Sequence, residues 1–456
     1  MMDEPTSGPG TPADPPAASV AYQEPEEEVV EEEVIAQQQL ATTAPDVLAD
    51  SLREYLDAWW RRIRSGESGA VPVLIGLVLI VIFFQIEEST FLSAGNLVNL
   101  FVQASLYILF AAAEIYALLL SEIDLSVGAV AGVGAFVIAE LIAPPVNLVW
   151  WLGIAGGLVV CAGIGLLQGT LITRLHIPSF IVTLGGLLGL TGVIIELAQI
   201  DKTAVGGVMS ISTNSPVYNL VNANMSPTLS WIVLVIILGA YAALSIVSAT
   251  RRRARGLSAP PTSIVLLKVA LAAAGGIAVV IICTINRGAG LIALRGVPWV
   301  VPLVLLVIGA WSFLLSRTKL GRYIYAIGAN PEAARRAGIN VPWVRTIAFM
   351  LVAFTGGLAG LVYASRLGSI ATDIDVGQLV LFAVAAAVIG GTSLFGGRGN
   401  IRSAVLGSIV IAMIDNGLGL LNVSAGTKYI VTALVLLAAV TLDSLSRRGR
   451  TATGRA

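Results

Sequence analysis

Histidine occurs once in this chain of 456 residues, at His176, and cysteine twice, at Cys161 and Cys283. Both cysteines sit in apolar runs, where a thiol is usually a small packed hydrophobe, so no disulfide framework is implied. A single imidazole leaves no ligand set for a metal cluster. Charge is scarce too, with 12% charged residues against 56% hydrophobic and a mean hydropathy of +0.87. A soluble domain of this length carries about twice that charged fraction, which makes the chain a polytopic membrane protein. No GxxxxGK[ST] loop is present to cradle nucleotide phosphates. Nor is there a soluble stretch of about a hundred residues for catalysis or ligand capture. No His, Cys and carboxylate arrangement supports nucleophilic or metal chemistry. The chain therefore reads as a non-enzyme without a cofactor of its own and without a nucleic-acid partner, and its energy and substrate capture come from elsewhere.

What is present begins with a charge asymmetry, because the net charge of −1 conceals an acidic amino-terminal stretch and basic loops. Residues 1–45 are rich in Pro, Ala and Glu, and the run Glu26, Glu27, Glu28, Glu31, Glu32, Glu33 has too few large apolar neighbours to fold on. That composition predicts a disordered cytoplasmic tail, and without a positive start and an apolar core it does not read as a signal peptide. Over 46–66, Leu48, Leu52, Tyr55, Leu56, Trp59 and Ile63 recur at helical spacing among Arg53, Arg61, Arg62 and Arg64. This predicts an amphipathic helix on the inner membrane surface anchored by Trp59 and Trp60, or a solvated helix leading into the first span.

The fold class is an all-α polytopic membrane protein, with a permease domain over 67–446 and a cytoplasmic tail at 447–456. A span needs about 20 apolar residues. Twelve are predicted, within a range of ten to twelve, near 70–87, 97–120, 126–143, 147–172, 177–198, 229–249, 263–285, 298–316, 345–366, 378–394, 403–422 and 427–443. Glycines crowd the end of the tenth at Gly390, Gly391, Gly396 and Gly397, which marks a broken or re-entrant helix. Of the 27 Lys and Arg residues only Lys202, Arg287, Arg295, Arg366 and Lys428 fall outside on this assignment. The positive-inside rule then places both termini in the cytoplasm. Arg251, Arg252, Arg253 and Arg255 form a topology anchor that attracts anionic membrane lipid. The polar loop from Gln199 to Pro227 is a landing surface for an external partner or an ordinary connector.

Between Arg317 and Arg345 the chain turns basic and carries the start and stop signals of one short helix. Asn330 is a good N-cap, Pro331 sits at the first helical position, and Glu332 complements the positive end of the dipole. Gly338 supplies the left-handed residue that ends it, with Arg335 and Arg336 in the last turn. A capped helix of about two turns, held in the segment 317–344 between two spans, is a surface for something else to push on.

Polar residues inside the spans are the remaining candidates. Asp124 stands first, since a carboxylate in or beside the bilayer faces protein, water or the substrate path. It caps the next helix through the N–H of Ser126 or Val127, or it contacts substrate directly. Glu114 and Gln103 lie in the second span and Glu196 near the outer end of the fifth. Gln103, Tyr107, Tyr116, Gln168, Thr183 and Asn416 offer amide, hydroxyl and aromatic faces suited to a neutral polyol, or serve as interhelical hydrogen bonds. The pairs Gly185, Gly186 and Gly356, Gly357 read as sites of close helix packing. Asp124 in IDLSVG and Asp375 in IDVG open two similar stretches, Ala129 to Ala139 and Gln378 to Val388. The predicted topology runs these in opposite directions, as in an inverted repeat.

The stretches Glu122 to Gly128 (EIDLSVG), Ile177 to Gly186 (IPSFIVTLGG), Gly321 to Arg345, Val388 to Asn400 (VIGGTSLFGGRGN) and Asp415 to Leu420 (DNGLGL) resemble the permease subunits of bacterial ATP-binding-cassette monosaccharide importers. The resemblance runs from about Phe91 to Asp443. It implies a plasma-membrane homodimer working with two copies of a cytoplasmic ATPase, which binds the ATP, and an extracytoplasmic sugar-binding protein. It further implies that Gly328, Asn330, Pro331, Glu332, Ala333, Ala334, Arg335 and Gly338 couple to the ATPase. Gln103, Glu114, Asp124, Ser126, Thr183 and Asn416 would then line the translocation path. Glu114 departs from the family, whose members commonly carry a small or uncharged residue nearby. The EIDLSVG form and the extra span pair near 229–285 look most like the xylose branch, which names D-xylose first and another pentose or hexose second. The alternative is an ion-coupled secondary carrier using Glu114 and Asp124, and a membrane enzyme acting on lipid-linked sugars is a distant third.

Overall fold

The computed structural model of the protein describes Asp57 and residues 71–200, 204, 206–257, 259–288 and 293–452. The acidic tail at 1–45, the helix at 46–66 apart from Asp57, Lys202 and residues 453–456 lie outside the described residues.

The amino-terminal half builds α1 (Val71–Glu87), α2 (Ala94–Leu119), α3 (Val127–Ile142), α4 (Trp150–Leu175) and α5 (Ser179–Ile200). A connecting region follows with β1 (Val208–Ser210), α6 (Pro216–Asn222) and the hairpin α7 (Pro227–Ala254) and α8 (Thr262–Thr284). The second half has α9 (Val300–Arg317), α10 (Lys319–Ala329), α11 (Pro331–Arg336), α12 (Val341–Leu367), β2 (Ser369–Ala371), α13 (Val376–Ile389), α14 (Ile401–Leu420) and α15 (Ala425–Ala452). Each of the twelve expected spans falls on one of these helices. Among the described residues eight helices are long and apolar enough to cross a membrane, namely α2, α4, α5, α7, α8, α9, α12 and α14. The apolar parts of α1, α3, α13 and α15 are shorter.

Not everything is helical. The loop predicted at 199–227 contributes β1, which pairs antiparallel with β2 in the register Val208 to Ala371, Met209 to Ile370 and Ser210 to Ser369. Buried Met209 and Ile370 join a cluster with Phe136 and Leu361, so the ribbon caps the packing of α3 against α12. Sequence reading missed it because three residues per strand give too short a run for an alternating pattern to register.

The core is organised around α2. Of the residues in its apolar window 94% are buried, against 6% in α7, so protein surrounds α2 while α7 faces outward. The Ala-rich run from Ala111 to Ala113 is fully covered and lets neighbours approach closely. Its principal partner, α12, runs antiparallel to it. Arg366 near the end of α12 donates to Asn99 near the start of α2 at 3.2 Å, and Arg345 at the start of α12 pairs with Glu122 just past the end of α2 at 3.4 Å.

The two Asp-containing stretches turn out to be matching joints. After α2 comes the turn with Asp124, then the short α3, then α4; after α12 comes the turn with Asp375, then the short α13, then α14. Packing repeats with the partners exchanged, since α3 lies on α12 and α13 on α2, while α4 lies on α12 and α14 on α2. With α2 and α12 antiparallel, this is the inverted repeat that the sequence outlined. The two short helices meet at their N-termini, where a side chain at Gly128 would overlap the Val376 carbonyl oxygen. The expected glycine pairs divide: Gly356 approaches Val127 and Gly357 approaches Cys161, whereas Gly186 abuts Gln168 and Gly185 has open space.

Gly360 sits where α12 crosses α3, and a Cβ there would collide with the backbone carbonyl of Ala131. Gly360→Ala should therefore lower stability by about 1–3 kcal/mol, because a backbone atom has to shift. Gly163→Ala, which meets nothing within 4 Å, should stay within about 0.5 kcal/mol of the parent. Apparent melting temperatures of the two detergent-solubilised variants check the contrast.

Candidate functional site

Three polar regions are strung along α2. At its C-terminal end lies the loop between α9 and α12. Asn330 caps α11 as the sequence predicts, its side-chain oxygen accepting from the N–H groups of Glu332 and Ala333 at 3.1 and 3.0 Å. The helix runs from Pro331 to Arg336, with Ala337 as its C-cap. Gly338 has φ +82°, and the N–H groups of Gly338 and Ile339 return to the carbonyls of Arg335 and Ala334 at 3.0 and 3.1 Å. This double closure is the Schellman arrangement, so α11 is capped at both ends. Only Ala334 of the helix is buried, and every other residue from Pro331 to Arg336 is exposed. Glu332 pairs with Arg335 at 2.9 Å and Arg336 at 3.7 Å on that open face, where such pairs contribute little to stability.

The preceding helix, α10, buries Gly321, Ile324, Ile327 and Gly328 against the body of the protein. Gly328 lies on the Leu119 carbonyl, which in turn accepts from the Gly397 N–H at 2.9 Å. The Tyr325 hydroxyl donates to the Gly399 carbonyl at 2.7 Å, and burial raises its pKa, so it remains a donor. The glycine-rich turn at 390–400, the end of α2 and α10 are thus one joint. The Glu122 and Arg345 pair, 14% and 29% exposed, fastens the start of α12 to the same joint.

In the middle, four of the expected path residues form a closed cluster. The Asp124 oxygen Oδ1 accepts from the Ser126 N–H at 2.8 Å and from its hydroxyl at 2.6 Å, a turn bond just ahead of α3, whose N-cap is Ser126 and which has no side-chain cap hydrogen bond. Glu114 accepts from the Asp124 N–H at 3.1 Å. Gln168 donates to the Ser126 hydroxyl at 2.9 Å, and Thr183 donates to the Ile123 carbonyl at 3.4 Å. Glu114, Asp124, Ser126 and Thr183 have no exposed surface, and one oxygen each of Glu114 and Asp124 is unpartnered. The cluster joins α2, the α3 turn, α4 and α5, and in this conformation it is sealed.

The opposite end of α2 is open. Two cavities of about 200 and 210 Å³ share Gln103, Arg366 and Asp415. Asn96 and Asn416 exchange amide hydrogen bonds at 2.8 and 3.0 Å on the wall of the first. Asp415 accepts from Gln103 and, at 2.8 Å, from the Tyr107 hydroxyl, and it lies 3.7 Å from Lys428. The Tyr107 ring meets Phe382 edge to face at 5.2 Å in the second cavity. Gln103 and Asn416 therefore stand together here, some distance along α2 from the Glu114 and Asp124 group. Tyr116 lies between, its ring edge-on to Trp311 at 6.1 Å. Sequence reasoning gave Asp415 no role, although it quoted the motif that Asp415 opens. Its donors Gln103 and Tyr107 are about 310 positions away, and only the folded chain brings them together.

A helical membrane protein built around a central antiparallel pair is the class that these features define. A family model described as "Branched-chain amino acid transport system / permease component" matches residues 96–440, and the chain belongs to that family. It is 33% identical over 386 residues to the xylose transport system permease protein XylH of Escherichia coli (strain K12), covering 82% of this chain and 92% of that protein. It is 29% identical over 368 residues to the D-allose transport system permease protein AlsC of the same organism, covering 81% and 89%. To the ribose import permease protein RbsC, also of that strain, it is 29% identical over 374 residues, covering 81% and 92%. No solved structure matches. The motif resemblance to monosaccharide permeases thus extends to similarity over 82% of the chain, and the protein is a multi-pass inner-membrane permease subunit.

Reversing one partner of the mostly buried Glu122 and Arg345 pair should destabilise the joint, and reversing both should recover part of the loss. A double-mutant cycle of Glu122→Arg and Arg345→Glu is expected to show a coupling of about 1–2 kcal/mol in apparent stability. Additive effects would show that the pair does not hold α12 to α2.

Proposed function

We propose that this chain is the membrane permease of an ATP-binding-cassette importer that carries a monosaccharide, D-xylose foremost, into the cell. The observation that carries the reading is the similarity to XylH across 92% of that protein, together with a capped, exposed α11 standing where the family resemblance puts ATPase coupling. AlsC and RbsC, with other sugars in their names, make a second pentose or a hexose the next choice. The face carrying α11 is cytoplasmic, as are both termini, and the cavities at Gln103 and Asp415 open on the opposite side.

Two copies of the permease pair with two cytoplasmic ATPase subunits that bind the ATP, and an extracytoplasmic binding protein delivers the sugar. The chain needs no cofactor. Asn330, Pro331, Glu332, Ala333, Ala334, Arg335 and Gly338 form the element that the ATPase grips, and Gly328 hinges it against the end of α2. A fully capped helix loses little motion at its ends, so displacement of α11 passes to α10, the 390–400 turn and α12. Sugar enters past Gln103 and Asn416 and crosses beside Asp124, Ser126, Thr183 and Glu114. In support of a positioning rather than proton-carrying Glu114, its one bonded oxygen holds the Asp124 backbone.

Proteoliposomes holding the permease, ATPase and binding protein should take up D-xylose only with ATP. Uptake driven by a proton gradient through the permease alone would replace this reading with a secondary carrier. Gly338→Val, which forces a β-branched residue to φ +82°, should leave the protein membrane-inserted but cut ATP-driven uptake by about tenfold or more. Normal uptake by that variant would remove α11 from the mechanism.

A further inference from the structure

Among the described residues lining the polar cavities at the start of α2, one buried side chain is incompletely bonded. Gln103 is 8% exposed, lines both cavities, and its carbonyl oxygen Oε1 has no partner. The orientation of its amide is fixed by its neighbour. The Gln103 nitrogen donates to Asp415, and the amide oxygen is left over. A buried amide oxygen without a donor costs free energy that a ligand hydroxyl recovers on binding.

The electrostatics select the kind of ligand. Taken together, the two linings set Arg366 and Lys428 against Asp415 and Asp375, so the combined walls carry no net formal charge. Asp415 is already engaged by Gln103, Tyr107 and Lys428, Asp375 by Tyr429, and Arg366 donates to Asn99, so each of these ions already has a partner. What remains is a mixture of donors and acceptors beside the Tyr107 and Phe382 rings. Hydroxyl-rich, neutral molecules with an apolar C–H face match that surface.

We infer that this is a stereoselective binding subsite for a neutral monosaccharide within the permease itself, with Gln103 as the acceptor of a sugar hydroxyl and Asp415 as the group that orients Gln103. The proposal rests on the sugar-importer reading and adds to it: the permease itself distinguishes sugars instead of relying only on its binding protein. Asp415 and Arg366, absent from the sequence-derived path, set the selectivity by holding the amide wall in one arrangement.

A thiol reporter tests it in the full chain. Leu420 lines the first cavity without taking part in its hydrogen bonds, and the native Cys161 and Cys283 are buried, so Leu420→Cys gives a single reactive site. In nanodiscs, D-xylose, D-ribose or D-allose at high concentration should slow maleimide labelling of that cysteine about threefold or more, with different strengths for the three sugars, while leucine leaves it unchanged. Adding Gln103→Leu should abolish the protection, and Gln103→Glu, which keeps an acceptor, should retain part of it. Protection by leucine, no protection by any sugar, or equal protection in the Gln103→Leu background overturns the subsite. ATP-driven uptake by the parent transporter is measured in parallel. Uptake without protection removes the subsite alone, and protection without uptake removes the importer reading alone.

Discussion

The packing of α2 against α12 is the constraint on which the rest of the structure depends. A helix whose apolar window is 94% buried can carry Gln103 and Glu114 along its length, because its neighbours supply what water would. Burying α2 on all sides requires many partners, and the inverted repeat provides them by exchange: each half covers the central helix of the other. Neither half could bury its own apolar and polar surface alone. The peripheral hairpin of α7 and α8 stands outside this arrangement, touching the start of α2 through buried Val98, Met225 and Cys283.

From this core the functional regions follow as places where the exchange is incomplete. At one end of α2 glycines bring α10 and the 390–400 turn onto its last carbonyl, so the loop that bears α11 is joined to the central pair by backbone contacts. About 30 Å away, given 1.5 Å per residue over twenty residues, the other end opens into a polar cavity. The Asp124 cluster between them is sealed. A closed middle with one open end is one of the two arrangements that a gate must adopt in turn.

Local signals were legible in the sequence to the extent that they were local. The cap at Asn330, the stop at Gly338, the turn bond from Asp124 to Ser126 and the glycine break after α13 depend on residues a few positions apart, and the structure shows them where the pattern put them. The twelve apolar stretches were legible for the same reason. The cavity was only half legible: Gln103 and Asn416 were singled out by type, but Asp415 was not, since its significance comes from α2 and Lys428 meeting it in space. The placement of Glu114 beside the Asp124 backbone also needed the fold, because α2 ends and the chain doubles back before the two can meet. The β1 and β2 ribbon was invisible for lack of length.

The two arginines of α12 have one mechanical consequence. Arg345 holds Glu122 at one end of the central pair and Arg366 holds Asn99 at the other, so sliding α12 along α2 would break both attachments together. Tilting the pair as a unit breaks neither. The core of this permease is therefore a beam pinned at both ends against telescoping.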